Sequence, residues 1–245
     1  MASTRVIVCA AVCAVVAAAP AVPAQAAPAR KGFDLQAHRG GIGLRPENTL
    51  ASFGNALRLG VSTLELDVQI TRDGAAVVTH DRKVDAKKCG PAYAGRFVKD
   101  LTLAQVRSMD CGGRTLPEFP GQVAVPGARM PLLSEVFDLV HTYRATGVKL
   151  NVETKAGVGT VSANWQVHDP DQPVHPDPDW YLRTSPAYYS GPPIGVLHRR
   201  DHLKVVPYTI DDEATMQRLI DLGVDGLITD GQATAVLVAR RTGLR

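Results

Sequence analysis

The chain is 245 residues long, with 27 Lys and Arg against 24 Asp and Glu, and its formal net charge is +3 at pH 7. A balance this close to neutral leaves no broad cationic face for nucleic acid or for an anionic membrane surface, and it points to a small-molecule partner.

Residues 1–26 read as a secretory signal. Arg5 precedes an apolar run from Val6 to Ala19, and Ala24-Gln25-Ala26 supplies a small-residue cleavage site. The run is short and flanked by Pro20 and Pro23, so it is not read as a stable membrane anchor. Neither Cys9 nor Cys13 follows a small residue, as a lipid-bearing cysteine would. Removing the signal takes away one charge, Arg5, and leaves a secreted chain 27–245 with net charge +2. Its two cysteines, Cys89 and Cys111, would sit in an oxidising compartment, where an even count favours a disulfide over two free, buried thiols. Closing that loop stabilises by roughly 3 kcal/mol on chain-entropy grounds.

After the signal, strand-like and helix-like segments alternate, the pattern of an α/β protein with a parallel sheet. Phe33–His38 reads as a first strand, and a helix follows from Asn48 to Leu59 with Gly60 as its terminator. Val61–Thr71 is a second strand in which Leu64, Leu66 and Val68 alternate with Glu65, Asp67 and Gln69. The turn Arg72-Asp73-Gly74 leads to a third, Ala75–His80. Residues 82–130 break the rhythm: they are rich in Gly, Pro, Lys and Arg, contain one helix near Thr102–Met109, and read as an insertion pinned by Cys89 and Cys111. A helix at Leu133–Thr146 follows, whose Leu133, Val136, Phe137 and Val140 form a stripe expected to face the sheet. Val148–Thr154 is the next strand. Between Lys155 and Asp201 the pattern is poor, with room for at most one strand, Thr160–Val167. Leu203–Ile210 is then a strand, Asp211 or Asp212 caps a helix to Leu222, Gly226–Thr229 is a last strand, and Ala233–Arg241 a last helix.

Residues two apart on a strand share a face, so Glu65 and Asp67 point the same way. Two acids side by side on a strand whose other face is apolar are costly unless something neutralises them. A second acidic strand, Asn151-Val152-Glu153-Thr154-Lys155, supplies a third carboxylate. Three such groups suit a hard divalent ion, Ca²⁺ or Mg²⁺; they equally suit ion pairs with Arg39, Lys155 or Arg72. His38 and His80 close the first and third strands, and strand C-terminal ends are where barrel enzymes place catalytic groups. Two imidazoles beside a phosphate can act as general acid and base near neutral pH.

His38-Arg39-Gly40, Pro46-Glu47-Asn48-Thr49, Glu65-Leu66-Asp67-Val68 with Thr71-Arg72-Asp73-Gly74, and His80-Asp81 resemble the opening of the glycerophosphodiester phosphodiesterase family. Asn151-Val152-Glu153-Thr154-Lys155, Val206-Pro207-Tyr208-Thr209 and Asp225-Gly226-Leu227-Ile228-Thr229-Asp230 are similar to its later motifs. The resemblance implies a (β/α) TIM-type barrel that hydrolyses glycerophosphodiesters to glycerol 3-phosphate and an alcohol. It implies one divalent cation on Glu65, Asp67 and Glu153, His38 and His80 as the acid/base pair, and Arg39 and Lys155 at the phosphate. By the same analogy a glycerol 2-hydroxyl attacks phosphorus, and water opens the cyclic phosphate. Glu47 has two readings, a place in the site or a favourable charge at a helix start. Tyr208 likewise has two, an aromatic wall for substrate or a core side chain.

Taking residues 1–26 and the 49 of segment 82–130 from 245 leaves 170, against about 200 at the least for a complete eight-stranded barrel. Six strands, or seven with Thr160–Val167, imply an incomplete barrel. The rival to an enzyme is therefore a degenerate or truncated relative that keeps the site residues without catalysis. A phospholipase D-like action on lysolipids would call for an apolar, membrane-facing loop, which the sequence does not offer, and a binding module without chemistry leaves the paired histidines unexplained.

Overall fold

A computed structural model describes residues 32–155, 181–182 and 204–244. The expected signal, the expected strand Thr160–Val167 and most of the stretch where a barrel gap was expected lie outside the described residues.

Strand β1 (Asp34–Ala37) is buried along its whole length and runs into a single 3-10 turn, His38–Gly40. Arg39, Gly40 and Gly41 all take positive φ (51°, 77° and 102°). Only the glycines do so without strain, and a side chain on Gly41 would collide with Gln232. Helix α1 (Leu50–Leu59) starts at Thr49, whose hydroxyl accepts from the Ser52 N–H while the Ser52 hydroxyl accepts from the Thr49 N–H. This reciprocal cap satisfies two amides that the helix cannot. Gly60, at φ 78°, ends it.

Strand β2 (Thr63–Ile70) is the centre of the sheet. It pairs in parallel with β1 (Ala37 opposite Leu64) on one side and with β4 (Lys149–Thr154) on the other. The far side of β1 pairs in parallel with β7 (Gly226–Thr229). Beyond β7, residues 205–210 continue the arc through hydrogen bonds from Ile228 N–H to Pro207 C=O and from Ile210 N–H to Ile228 C=O. The expected strand Leu203–Ile210 is reduced to β6 (Lys204–Val205), because Pro207 has no N–H to give a ladder. Strand β5 (Tyr181–Leu182), which the sequence pattern did not foretell, pairs in parallel with β6. Among the described residues this curved parallel sheet does not close.

Strand β3 (Ala76–Val78) differs from expectation in direction. It folds back antiparallel on the end of β2, with Val68 opposite Val78, so it is a hairpin arm and not a further parallel barrel strand.

The remaining helices are α2 (Ala86–Cys89), α3 (Leu103–Arg107), α4 (Leu133–Thr142), α5 (Glu213–Asp221) and α6 (Gln232–Arg241). Leu35, Leu64, Leu66 and Val68 point to the outer face of the sheet and pack with Phe53, Leu57, Val136, Met216 and Val236 in the main core. On α4, Val136 is buried as expected but Phe137 is 41% exposed. Leu133 and Val140 pack against the core as expected, and Leu139 and Tyr143 join them in place of Phe137, turning the stripe by about one residue. Segment 82–130 forms a second, smaller core of Val84, Cys89, Val98, Leu101, Val106, Met109 and Cys111, with Cys89 and Cys111 joined as a disulfide.

Candidate active site

On β1, β2 and β4 the inner face of the sheet is polar, which is unusual for a buried surface and is made possible by mutual hydrogen bonding. Thr63 and Ser62 hydroxyls donate to Asp34, Gln36 donates to Asp34, and Asn151 donates to Gln36. Gln69 donates to the carbonyl of Asp81 at 2.7 Å. At the C-terminal end of this face lies a cavity of about 340 Å³, lined by His38, Arg39, Glu65, Asp67, His80, Glu153, Lys155, Tyr208, Thr209 and Ile228.

Backbone register brings most of these groups together. Asp67 stands directly opposite Glu153 on β4, and side chains at facing positions of neighbouring strands lie about 5 Å apart. Glu65 precedes Asp67 by two and shares its face. Carboxylate oxygens of Glu65, Asp67 and Glu153 all lie within 4.8 Å of one another. Glu65 and Asp67 are 4% and 1% exposed. Burial, and then the charges of Asp67 and Glu153, push the Glu65 carboxyl above its ordinary range. Such a cluster calls for positive charge. Lys155 provides part of it, with Nζ 2.8 Å from Asp67 Oδ1 and 2.5 Å from Glu153 Oε1. The alternative ion-pair reading is thus realised for Lys155 and, at the longer distance of 4.0 Å, for Arg39 Nε with Asp67. Glu65 receives one backbone amide, Arg39 N–H at 2.7 Å, delivered by the left-handed turn at Arg39.

Each histidine is backed by an acid that sequence reading did not assign. Because Ala37 pairs with Thr229 as well as with Leu64, the residues that follow place His38 between Glu65 and Asp230. His38 Nδ1–H donates to Asp230 Oδ1 at 2.6 Å, which leaves Nε2 for the cavity. Burial works against the imidazolium, but the Asp230 hydrogen bond and the charges of Asp230 and Glu65 outweigh it, and the His38 pKa is raised. Asp230 is itself braced, its N–H donating to Asp211 Oδ1 at 2.9 Å. His80 reaches the cavity by the hairpin and not by a parallel strand end: β3 doubles back along β2, and the Thr79 N–H donates to the Asp67 carbonyl. His80 Nδ1–H donates to Asp81 Oδ1 at 2.9 Å. Asp81 was legible as a sequence neighbour of His80. Asp230, 192 residues from its partner, was legible only through sheet register.

Glu47 does not cap α1, since Thr49 and Ser52 do. Its carboxylate binds Arg39 Nη1 at 3.2 Å and Lys88 Nζ at 2.9 Å. Asn48, at positive φ, donates to Asp67 Oδ2 at 3.1 Å. Tyr208 is 42% exposed at the cavity rim, which excludes the core-packing reading.

Comparison with known proteins gives a consistent result. A glycerophosphodiester phosphodiesterase of Caldanaerobacter subterraneus subsp. tengcongensis is 29% identical over 250 residues, covering 84% of this chain and 98% of the relative. Among solved structures, a putative glycerophosphoryl diester phosphodiesterase of Silicibacter pomeroyi superposes with a TM-score of 0.71 at 23% identity, covering 88% of this chain and 96% of that one. An Oleispira antarctica phosphodiesterase, solved in complex with the product sn-glycerol-3-phosphate, superposes with a TM-score of 0.62 at 22% identity, covering 86% and 97%. These likenesses give a TIM-barrel-like fold. The sequence profile of the glycerophosphoryl diester phosphodiesterase family matches residues 38–169 and 160–234, a span that takes in every residue lining the cavity, and the chain belongs to that family.

Proposed function

We propose that this protein is a metal-dependent hydrolase of glycerophosphodiesters that releases glycerol 3-phosphate and an alcohol. The observation that carries the reading is one cavity in which three carboxylates, with oxygens within 4.8 Å of one another, meet two imidazoles. That spacing suits a single Ca²⁺ or Mg²⁺, whose oxygen ligands lie about 2.0–2.6 Å from the ion. The raised pKa of Glu65 supports it, because a buried group of acids is stabilised by a cation. The bound product of the Oleispira relative supports the substrate class.

Glu65, Asp67 and Glu153 would hold the ion. When bound, a divalent cation neutralises phosphate charge and acidifies a coordinated hydroxyl. Arg39 Nε, buried and without a hydrogen-bond partner among the described residues, is a donor for a phosphate oxygen. Lys155 adds positive charge beside it, and its own pKa is raised because Asp67 and Glu153 outweigh the opposing effect of burial. His38 and His80 present Nε2 to the substrate: one accepts the proton of the attacking hydroxyl, and the other, protonated, gives one to the leaving alcohol. Asp230 and Asp81 fix the ring orientations, and Asp230 stabilises the cationic form of His38.

The N-terminal pattern around Arg5 and Ala24-Gln25-Ala26 supports export, as does a disulfide at Cys89–Cys111. N-terminal sequencing of protein from culture medium tests this point, with residue 27 expected first. The activity is tested by release of glycerol 3-phosphate from glycerophosphocholine with Ca²⁺, Mg²⁺ or a chelator. Turnover that the chelator abolishes is the expected result. A cooperatively folded chain that is inert with every metal would establish the non-catalytic reading instead.

A further inference from the structure

Segment 82–130 reaches the edge of the site with the side chain of Lys88. Its Nζ lies 2.9 Å from Glu47 Oε1 and 2.6 Å from Asp81 Oδ2. Each of those acids grips a residue of the cavity, Glu47 holding Arg39 and Asp81 holding His80. The ammonium therefore closes a chain of charge-assisted contacts that runs Arg39–Glu47–Lys88–Asp81–His80 across the cavity's edge. Burial opposes its charge, yet Glu47 and Asp81 outweigh that and raise the Lys88 pKa. Lys88 touches none of the three clustered carboxylates, and it does not line the cavity.

The mounting of Lys88 is equally specific. Helix α2 has only four residues, too few to hold itself together by its own hydrogen bonds. It is fixed by its last residue, Cys89, tied by the disulfide to Cys111, whose N–H in turn donates to the Ala128 carbonyl at 2.8 Å. The same segment also grips the loop after β1, where Gln122 Nε2 donates to the Ile42 carbonyl and Val123 N–H to that of Leu44.

We propose that Lys88 is a positioning residue for the reaction: it holds Asp81 behind His80 and Glu47 behind Arg39, so that segment 82–130 sets the geometry of one catalytic imidazole and one phosphate-binding guanidinium. The proposal rests on the phosphodiesterase reading given above. Without the ammonium, two acids face each other at the cavity edge, Asp81 turns from His80, and turnover falls while the ion site stays intact. Misplacing a reacting group by about 1 Å costs up to about 100-fold in rate.

The test compares wild type, Lys88→Met and Lys88→Arg. Lys88→Met should lower kcat on glycerophosphocholine by up to about 100-fold, with calorimetric Ca²⁺ affinity within about twofold of wild type, and Lys88→Arg should recover most of the loss because it keeps a cation between the two acids. Imidazole nitrogen NMR, with His80→Gln to assign the signal, should find the His80 Nδ1–H resonance shifted or broadened in Lys88→Met and that of His38 unchanged. An unaltered His80 signal overturns the proposal, as does equal damage from Met and Arg. The NMR comparison needs no turnover, so a wild-type chain that fails to hydrolyse substrate refutes the activity and still leaves the positioning role decided.

Discussion

The inner face of the β7–β1–β2–β4 sheet lines the cavity and segment 82–130 braces its edge, by different physical means. On the sheet, position comes from backbone register: Asp67 faces Glu153, and His38 falls between Glu65 and Asp230. A register slip of one residue would send every one of these groups to the wrong face. Segment 82–130 has one four-residue and one five-residue α-helix, no strand of its own among the named elements, and a small separate core. It acts through long side chains and a covalent staple. Register fixes the three carboxylates that cluster within 4.8 Å of one another. A staple suffices for groups that need only be braced.

Four perturbations can break or sharpen that contrast. His38→Ala and His80→Ala should each cut turnover by about 10²–10⁴-fold with folding intact, despite reaching the cavity by a parallel register and by a hairpin respectively; steady-state kinetics checks both, and a large loss from only one would show that one imidazole works alone. Next in size, replacing both Cys89 and Cys111 by Ser should cost roughly 3 kcal/mol and lower Tm by about 10 °C. Hydrogen exchange should then rise in residues 82–130 more than in β1, β2 and β7. Uniform loosening would mean that the two regions are one cooperative unit.

A smaller effect separates two neighbours on α4. Val136→Ala, at a fully buried position, should destabilise by about 1–3 kcal/mol in urea unfolding. Phe137→Ser, at an exposed position, should stay within about 0.5 kcal/mol. The smallest expected change is electrostatic. The His38 pKa is raised, with Asp230 overcoming burial, so the limb of the pH–rate profile that His38 governs lies at higher pH than an ordinary histidine would give. Asp230→Asn removes the charge and keeps the shape, the pKa falls, and that limb moves to lower pH. NMR titration of His38 measures the shift directly, and an unmoved value would assign the raised pKa to another neighbour.

Much of this architecture could be read from the residues. The alternation of Leu64, Leu66 and Val68 with Glu65, Asp67 and Gln69 announced a strand with one apolar and one polar face, because side-chain direction alternates with period two. The helix read from Asn48 to Leu59, with Gly60 as its terminator, matches α1 within two residues, because helix termination is local chemistry. All of the residues singled out for the site line the cavity except Glu47, which stands one contact behind it. Other features depended on folding back in three dimensions. The antiparallel course of β3 turns on the Thr71–Ala75 turn geometry and on contacts with Pro131, far along the chain. The inward set on α4 turns on which neighbours meet the helix, and a periodic stripe fixes its face only to within about one residue.

The sequence by itself determined the alternating α/β plan, the acids and imidazoles that face one cavity, and the cysteines that join, since each is written in local spacing or residue type. Tertiary structure alone decided that Asp230 stands behind His38 and that Lys88 ties Glu47 to Asp81. Those pairings depend on which strands lie side by side and where a disulfide pins a short helix, and no local pattern encodes contacts between residues so far apart along the chain.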